Sequence, residues 1–252
     1  MKENIRRKLM VTTAFFLFFG AALKPVNLGA EALVDDFQYH PTGTDLQGTW
    51  RAKTAGSGKI ILSGVLNTNI EIGDVTTEDL RKIARSSKKG FEIRRDAGTF
   101  FFEGGIPNSG SGSGRFYFRP DRGYADKMKN LLSPGPSSGS VTSDSSLFYF
   151  AVHNLSYDYA KRITDTGYDK ISINDLLVLR SVGVAPEYIR TMVDIGYTDI
   201  SPDDLILLTV QEVPTDFIKY VIGTSDNLPT ARELTLIWTF GDKVSKFKHH
   251  KN

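Results

Sequence analysis

The sequence predicts an α+β fold: a small antiparallel β domain with one or two helices, then an all-α domain of hairpin repeats stacked as a solenoid. Three observations predict it. Ser172-Ile173-Asn174-Asp175-Leu176-Leu177 returns 29 residues later as Ser201-Pro202-Asp203-Asp204-Leu205-Ile206. Residues 47–119 alternate apolar and polar side chains in short runs, separated by glycine-containing turns. Between the two regions, residues 133–142 are rich in Ser, Gly and Pro and read as a linker.

Residues 1–30 resemble a secretory signal peptide. Lys2, Arg6, Arg7 and Lys8 make a basic start, and residues 9–23 an apolar core containing Phe15, Phe16, Phe18 and Phe19. That core is shorter than the ~20 apolar residues of a membrane span. Small residues place cleavage after Ala30 or Ala32; an uncleaved anchor is the alternative. Cleavage after Ala30 removes five basic residues and one acidic, leaving 26 against 28 and a net charge of −2. The basicity of the whole chain thus belongs to its leader, and the rest gives no electrostatic case for nucleic acid. With no cysteine, disulfides and thiolate metal sites are excluded. About 220 remaining residues suffice for two modest domains, each with its own core.

The β-rich domain spans 33–132. Strands are expected over 47–53, 59–66 and 69–72. Thr76, with Asp79 three residues on, is the capping box of a helix that buries Leu80, Ile83 and Ala84. Strands at 91–95 and 99–103 flank an Asp96-Ala97-Gly98 turn. Residues 104–114 read as a glycine-serine loop, 115–119 as a last strand and 124–132 as a short closing helix. The packing suggested is a half-open sandwich.

The repeats span 143–241. Ser172 is an N-cap with Asp175 as its capping-box partner. Leu176, Leu179 and Val182 share one face, and Gly183 stands where a left-handed C-cap belongs. Pro186 opens the second helix, whose stripe is Tyr188, Ile189, Met192 and Ile195, and Gly196 ends it. Walking the same offset gives full units at 143–171, 172–200 and 201–229, and a half unit at 230–241. A helix of ten residues is only ~15 Å long and marginal alone, so each hairpin needs its neighbours. Residues 242–252 form a basic tail with Lys243, Lys246, Lys248 and Lys251, read as a solvated end or a weak contact for lipid headgroups or an acidic partner.

Two stretches carry a resemblance. They are Phe91-Glu92-Ile93-Arg94-Arg95-Asp96-Ala97-Gly98-Thr99-Phe100-Phe101-Phe102-Glu103-Gly104 and Gly112-Ser113-Gly114-Arg115-Phe116-Tyr117-Phe118-Arg119-Pro120. Together they resemble an extracytoplasmic β module of uncharacterised bacterial proteins. There it precedes repeats similar to residues 173–177 and 183–189, and some chains are fused to membrane metallopeptidases of the beta-lactam-sensor type. The resemblance implies a periplasmic sensing or interaction module without an assigned activity. This chain contains no His-Glu-x-x-His and so lacks the peptidase motif.

Catalytic and metal chemistry find no constellation. His40, His153, His249 and His250 lack helical ligand spacing. Gly110-Ser111-Gly112-Ser113-Gly114 has glycine where a nucleophile elbow needs serine, and no helix follows for a dinucleotide. Gly58-Lys59 has Lys53 where a phosphate loop needs its first glycine. Asp203-Asp204 corresponds to Asn174-Asp175 of the preceding unit, which fits helix capping. Asp35-Asp36 has no visible context. Leu179-Arg180-Ser181-Val182-Gly183-Val184 resembles a helix-hairpin-helix, but Ala185 and Glu187 follow and Glu212 takes the glycine position in the next unit. Binding candidates are Tyr168 and Tyr197, which recur at one link, with Arg190 and Lys219 at one position of the second helix. The tyrosines either pack on the next repeat or line an exposed edge.

The expectation is therefore an exported, non-catalytic module, periplasmic or secreted, that recognises protein or peptide and needs no cofactor or metal. The alternatives are an exported helix-hairpin-helix-like DNA binder and a hydrolase with an unrecognised site in the β domain.

Overall fold

The computed structural model describes residues 46–53, 58–65, 68–86, 89–107, 110–132, 142–168, 171–225 and 227–241. Residues 1–45, on which the expected signal peptide falls, 133–141 of the expected linker and 242–252 of the expected basic tail lie outside them. The fold is α+β. One antiparallel sheet is built from β1 (Leu46–Lys53), β2 (Lys59–Val65), β3 (Thr68–Glu71), β4 (Gly90–Arg95), β5 (Gly98–Glu103) and β6 (Ser111–Pro120), in the order β3-β2-β1-β6-β5-β4. Helix α1 (Thr77–Ser86) lies in the connection between the two edge strands, and α2 (Arg122–Leu131) follows β6. Thr76 and Asp79 form the predicted reciprocal cap of α1, with Asp79 N donating to Thr76 Oγ1 at 3.1 Å and Thr76 N to Asp79 Oδ2 at 3.0 Å.

Two expectations need correction. No second sheet faces the first among the described residues, so the half-open sandwich gives way to a sheet covered by helices. The expected loop over 104–114 is also too long, because Ser111 to Gly114 pair with Lys53 to Trp50 as part of β6. The physical reason is Trp50. Its ring lies over β6, and its Nε1 donates to Glu103 O on β5 at 2.9 Å. A Cβ on Gly114 would stand 1.9 Å from that carbonyl and 2.8 Å from the indole nitrogen. The glycines are there to let the indole close, and so read as turn residues only when Trp50 is ignored.

Residues beyond the linker form α3 (Asp144–Val152), α4 (Tyr157–Thr164), α5 (Ile173–Val182), α6 (Pro186–Asp194), α7 (Pro202–Val210), α8 (Thr215–Ile222) and α9 (Ala231–Phe240). Ser143, Ser172, Ser201 and Thr230 cap α3, α5, α7 and α9 by accepting from the backbone N–H three residues on. Asn154, Gly183 and Glu212, spaced by 29, hold left-handed backbone at φ 51°, 85° and 50°. Helix α5 packs on α7 and α7 on α9; α4 packs on α6 and α6 on α8.

The sheet and these helices share one hydrophobic core rather than two. The reason is α3, apolar on every side, in which Leu147, Phe148, Phe150, Ala151 and Val152 are all buried. Phe148 faces the sheet, its ring centroid 5.7 Å from Phe100 and 5.4 Å from Phe118.

Glu212 gives a first prediction. A glutamate in the left-handed region has a steric cost that glycine avoids, and Gly183 stands 29 residues earlier in the same conformation. Glu212→Gly is expected to raise stability by about 0.5–1 kcal/mol after the extra entropy of glycine is deducted. Urea unfolding midpoints measure this, and an unchanged or lower midpoint refutes it.

Candidate functional site

Four residues carry the binding candidates, and the structure separates them by burial. Tyr168 and Tyr197 are buried, with relative exposures of 7% and 8%. Their hydroxyls donate to Ile200 O and Pro229 O, both at 2.5 Å and both 32 residues on. The exposed-edge alternative therefore fails, because each ring is packed and each hydroxyl is spent on a carbonyl 32 residues on. Tyr159 and Tyr188 do the same 25 residues on, donating to Val184 O at 2.9 Å and Val213 O at 3.2 Å. Tyr124 Oη closes the set, donating to Leu155 O at 2.7 Å.

Burial pushes all five phenols above their ordinary range, Tyr168 and Tyr197 to about 12. For Tyr168 the carboxylates of Asp175 and Asp204 add to burial, and for Tyr197 that of Glu233. A phenol whose folded pKa lies above its unfolded value of about 10 stabilises the fold below that pH and loses its contribution as pH rises through the folded value. Stability is thus expected to fall between about pH 10 and pH 12, with tyrosinate absorbance appearing together with unfolding. Tyr168→Phe and Tyr197→Phe should each cost about 1 kcal/mol at neutral pH by leaving a carbonyl unpaired, and should flatten the alkaline loss. Tyrosinate formation well before unfolding would contradict this.

Arg190 and Lys219 are exposed. Lys161 stands 29 residues before Arg190, so the three form a basic position on α4, α6 and α8. Asp158, Glu187 and Asp216 precede them by three residues. Lys219 Nζ lies 4.0 Å from Asp216, and Arg162 pairs with Glu187. The row is therefore of mixed sign, which gives it no strong preference for an anion.

The residues that the sequence reading missed lie where the helices meet the sheet. Asp74, between β3 and α1, is in left-handed backbone at φ 54°. It accepts from the Arg180 guanidinium and from Asn154 Nδ2, the latter at 2.7 Å. Arg180 Nε donates to Asn154 O at 3.0 Å, and its guanidinium lies 5.4 Å from the centre of the Tyr159 ring. Arg95 Nη2 donates to Gly73 O at 2.9 Å, and Gly73 N to Val152 O at 2.8 Å. Burial lowers the Arg95 pKa; Asp74 opposes this and Arg180 adds to it. This cluster engages Arg180, the one cation of the helix-hairpin-helix-like segment, with Asp74 and with Asn154 O. The signal was present as an exception: at the 29-residue offset Arg180 becomes Thr209 and then Trp238, so it does not recur.

Among the described residues, exposed large apolar side chains concentrate on α9, although Val178 of α5 is also exposed. Leu179 of α5 and Leu208 of α7 are both 0% exposed, whereas Ile237, at the same position of α9, is 39% exposed. Leu236 is 58% and Phe240 67% exposed on the same helix, with Val210 and Leu228 also exposed. Trp238 anchors α9 from its other side, donating from Nε1 to Gln211 O at 3.1 Å with its ring 5.0 Å from Phe217.

Among the described residues no group of three or more His, Cys, Asp or Glu is placed to hold a metal, and no helix is long and apolar enough to cross a membrane. Only His153 of the four histidines lies among them, half-buried at the end of α3, where burial lowers its pKa. Asp203 and Asp204 sit in the first turn of α7, with Asp204 N bonded to the Ser201 cap. Comparisons with protein-family models, with curated proteins and with solved structures found no match.

Proposed function

We propose that the chain is an exported, non-catalytic module that binds protein or peptide on a solenoid of α-hairpins with a period of 29 residues. Three sets of observations support the repeat. The N-caps recur at 143, 172, 201 and 230, and the left-handed residues at 154, 183 and 212. The tyrosine hydroxyls reach the next unit over fixed separations of 25 and 32 residues. A stack of this kind has two ends and a continuous side for partners. Export rests on the basic and apolar character of residues 1–30.

The observation that carries binding is Ile237, 39% exposed where its counterparts Leu179 and Leu208 are 0% exposed, with the exposed Leu236 beside it. Exposed apolar clusters of this kind mark interaction sites. The test is a photo-crosslinking scan in the producing cells, with benzoylphenylalanine at exposed positions on the sheet, the helical side and α9. Discrete adducts with another polypeptide are expected at a subset of positions. Their absence at every position, or retention of the purified protein on DNA that salt releases, overturns the reading.

A further inference from the structure

The structure has an internal template for what covers α9. Leu179 on α5 is closed off in a stack where α7 packs on α5, and Leu208 on α7 where α9 packs on α7. Each of these covering helices is short, capped by Ser or Thr, and carries apolar residues at helical spacing. Helix α9 presents the next position, Ile237, beside Leu236, with no following helix among the described residues. We propose that this surface receives an amphipathic helix of a partner protein, laid on α9 as α9 is laid on α7. The inference rests on the protein-binding reading above and names where and what it binds.

Three occupants can be weighed from the surface itself. The side chains exposed along α9 offer on the order of a few hundred Å², less than the about 800 Å² per partner of a stable interface between globular proteins. A second copy of the chain held by this face alone would therefore dissociate. Nor can copies stack head to tail, because the opposite end of the helical stack, at α3, is closed by the sheet through Phe148. Residues 242–252 carry only Val244 and Phe247 as apolar side chains, too few for the stripe that α7 and α9 themselves supply. A single helix with apolar residues at three- and four-residue spacing matches both the area and the local geometry, and is a recurring way to read a peptide.

The experiment uses the full chain in the producing cells, with benzoylphenylalanine at Leu236, and at Arg115 on the sheet or Arg190 on α6 as reference positions. The expected result is an adduct at 236 whose crosslinked peptide maps to a helical segment with apolar residues at three- and four-residue spacing. A synthetic peptide of that segment should bind the purified chain, and Ile237→Asp should weaken it at least tenfold without shifting the melting temperature. An adduct with a second copy, with residues 242–252, or with a segment lacking that spacing overturns the proposal. Adducts at 115 or 190 but not at 236 overturn it while leaving protein binding intact; adducts nowhere remove both.

Discussion

Phe148→Ala is expected to destabilise the protein by about 3–5 kcal/mol and to lower the stability of the sheet and of the helices together. Phe148 is fully buried, and its ring meets Phe100, Phe116 and Phe118 on β5 and β6 at 5.4–6.3 Å between centroids. Truncation removes a large apolar side chain, leaves a cavity and loses edge-to-face contacts that add to the burial term. Because α3 covers the sheet and shares its core with the helices that follow, the loss cannot be confined to either. The two tryptophans make this measurable. Trp50 is buried in the sheet and Trp238 is packed at the far helix. Variants keeping one tryptophan each should give coincident denaturant transitions, in the parent and in Phe148→Ala alike. If Phe148→Ala moved the Trp50 transition and left that of Trp238 in place, the single core would be refuted.

The same helix shows where the sequence was legible and where it was not. Caps are local, since Ser172 and Asp175 satisfy each other's backbone within one turn, so their residue types reveal them. Left-handed Gly183 and buried Leu176 and Leu205 follow from local chemistry and period in the same way. What was not legible depends on distant pairs. That Ser111 to Gly114 form a strand is decided by Trp50, about 60 residues earlier. That Tyr168 and Tyr197 are spent inside is decided by carbonyls 32 residues on, and a recurring exposed tyrosine would leave the same pattern. Of the candidate site, the apolar end of α9 was written in the sequence as Leu236 and Ile237. It could be recognised as exposed only once α7 was seen to be covered by α9, and α9 by no helix among the described residues.

Arg180→Met should cost about 3–5 kcal/mol, well beyond the ~1 kcal/mol of an exposed ion pair. The Asp74 side chain is 4% exposed and that of Arg180 16%, so removing the guanidinium strands a carboxylate away from water. Asn154 Nδ2 still donates to it, but one neutral hydrogen bond offsets only part of the desolvation of an ion. Arg95 is near enough to feel Asp74, yet its Nη2 is engaged by Gly73 O and its Nε has no hydrogen-bond partner, so it is poorly aimed to replace Arg180. The double variant Asp74→Asn, Arg180→Met should recover a large part of the loss, since asparagine tolerates the φ of 54° and leaves no orphaned charge. A double-mutant cycle then reads the coupling, expected at about 2–3 kcal/mol. A single-variant cost below 1 kcal/mol, or additive variants, would mean that water reaches the pair and that Arg180 is free to face outward. The hairpin it belongs to would then again be open to a phosphate. A coupling of the expected size instead fixes α5 to the turn before α1 through charge, just as Phe148 fixes α3 to the sheet through packing.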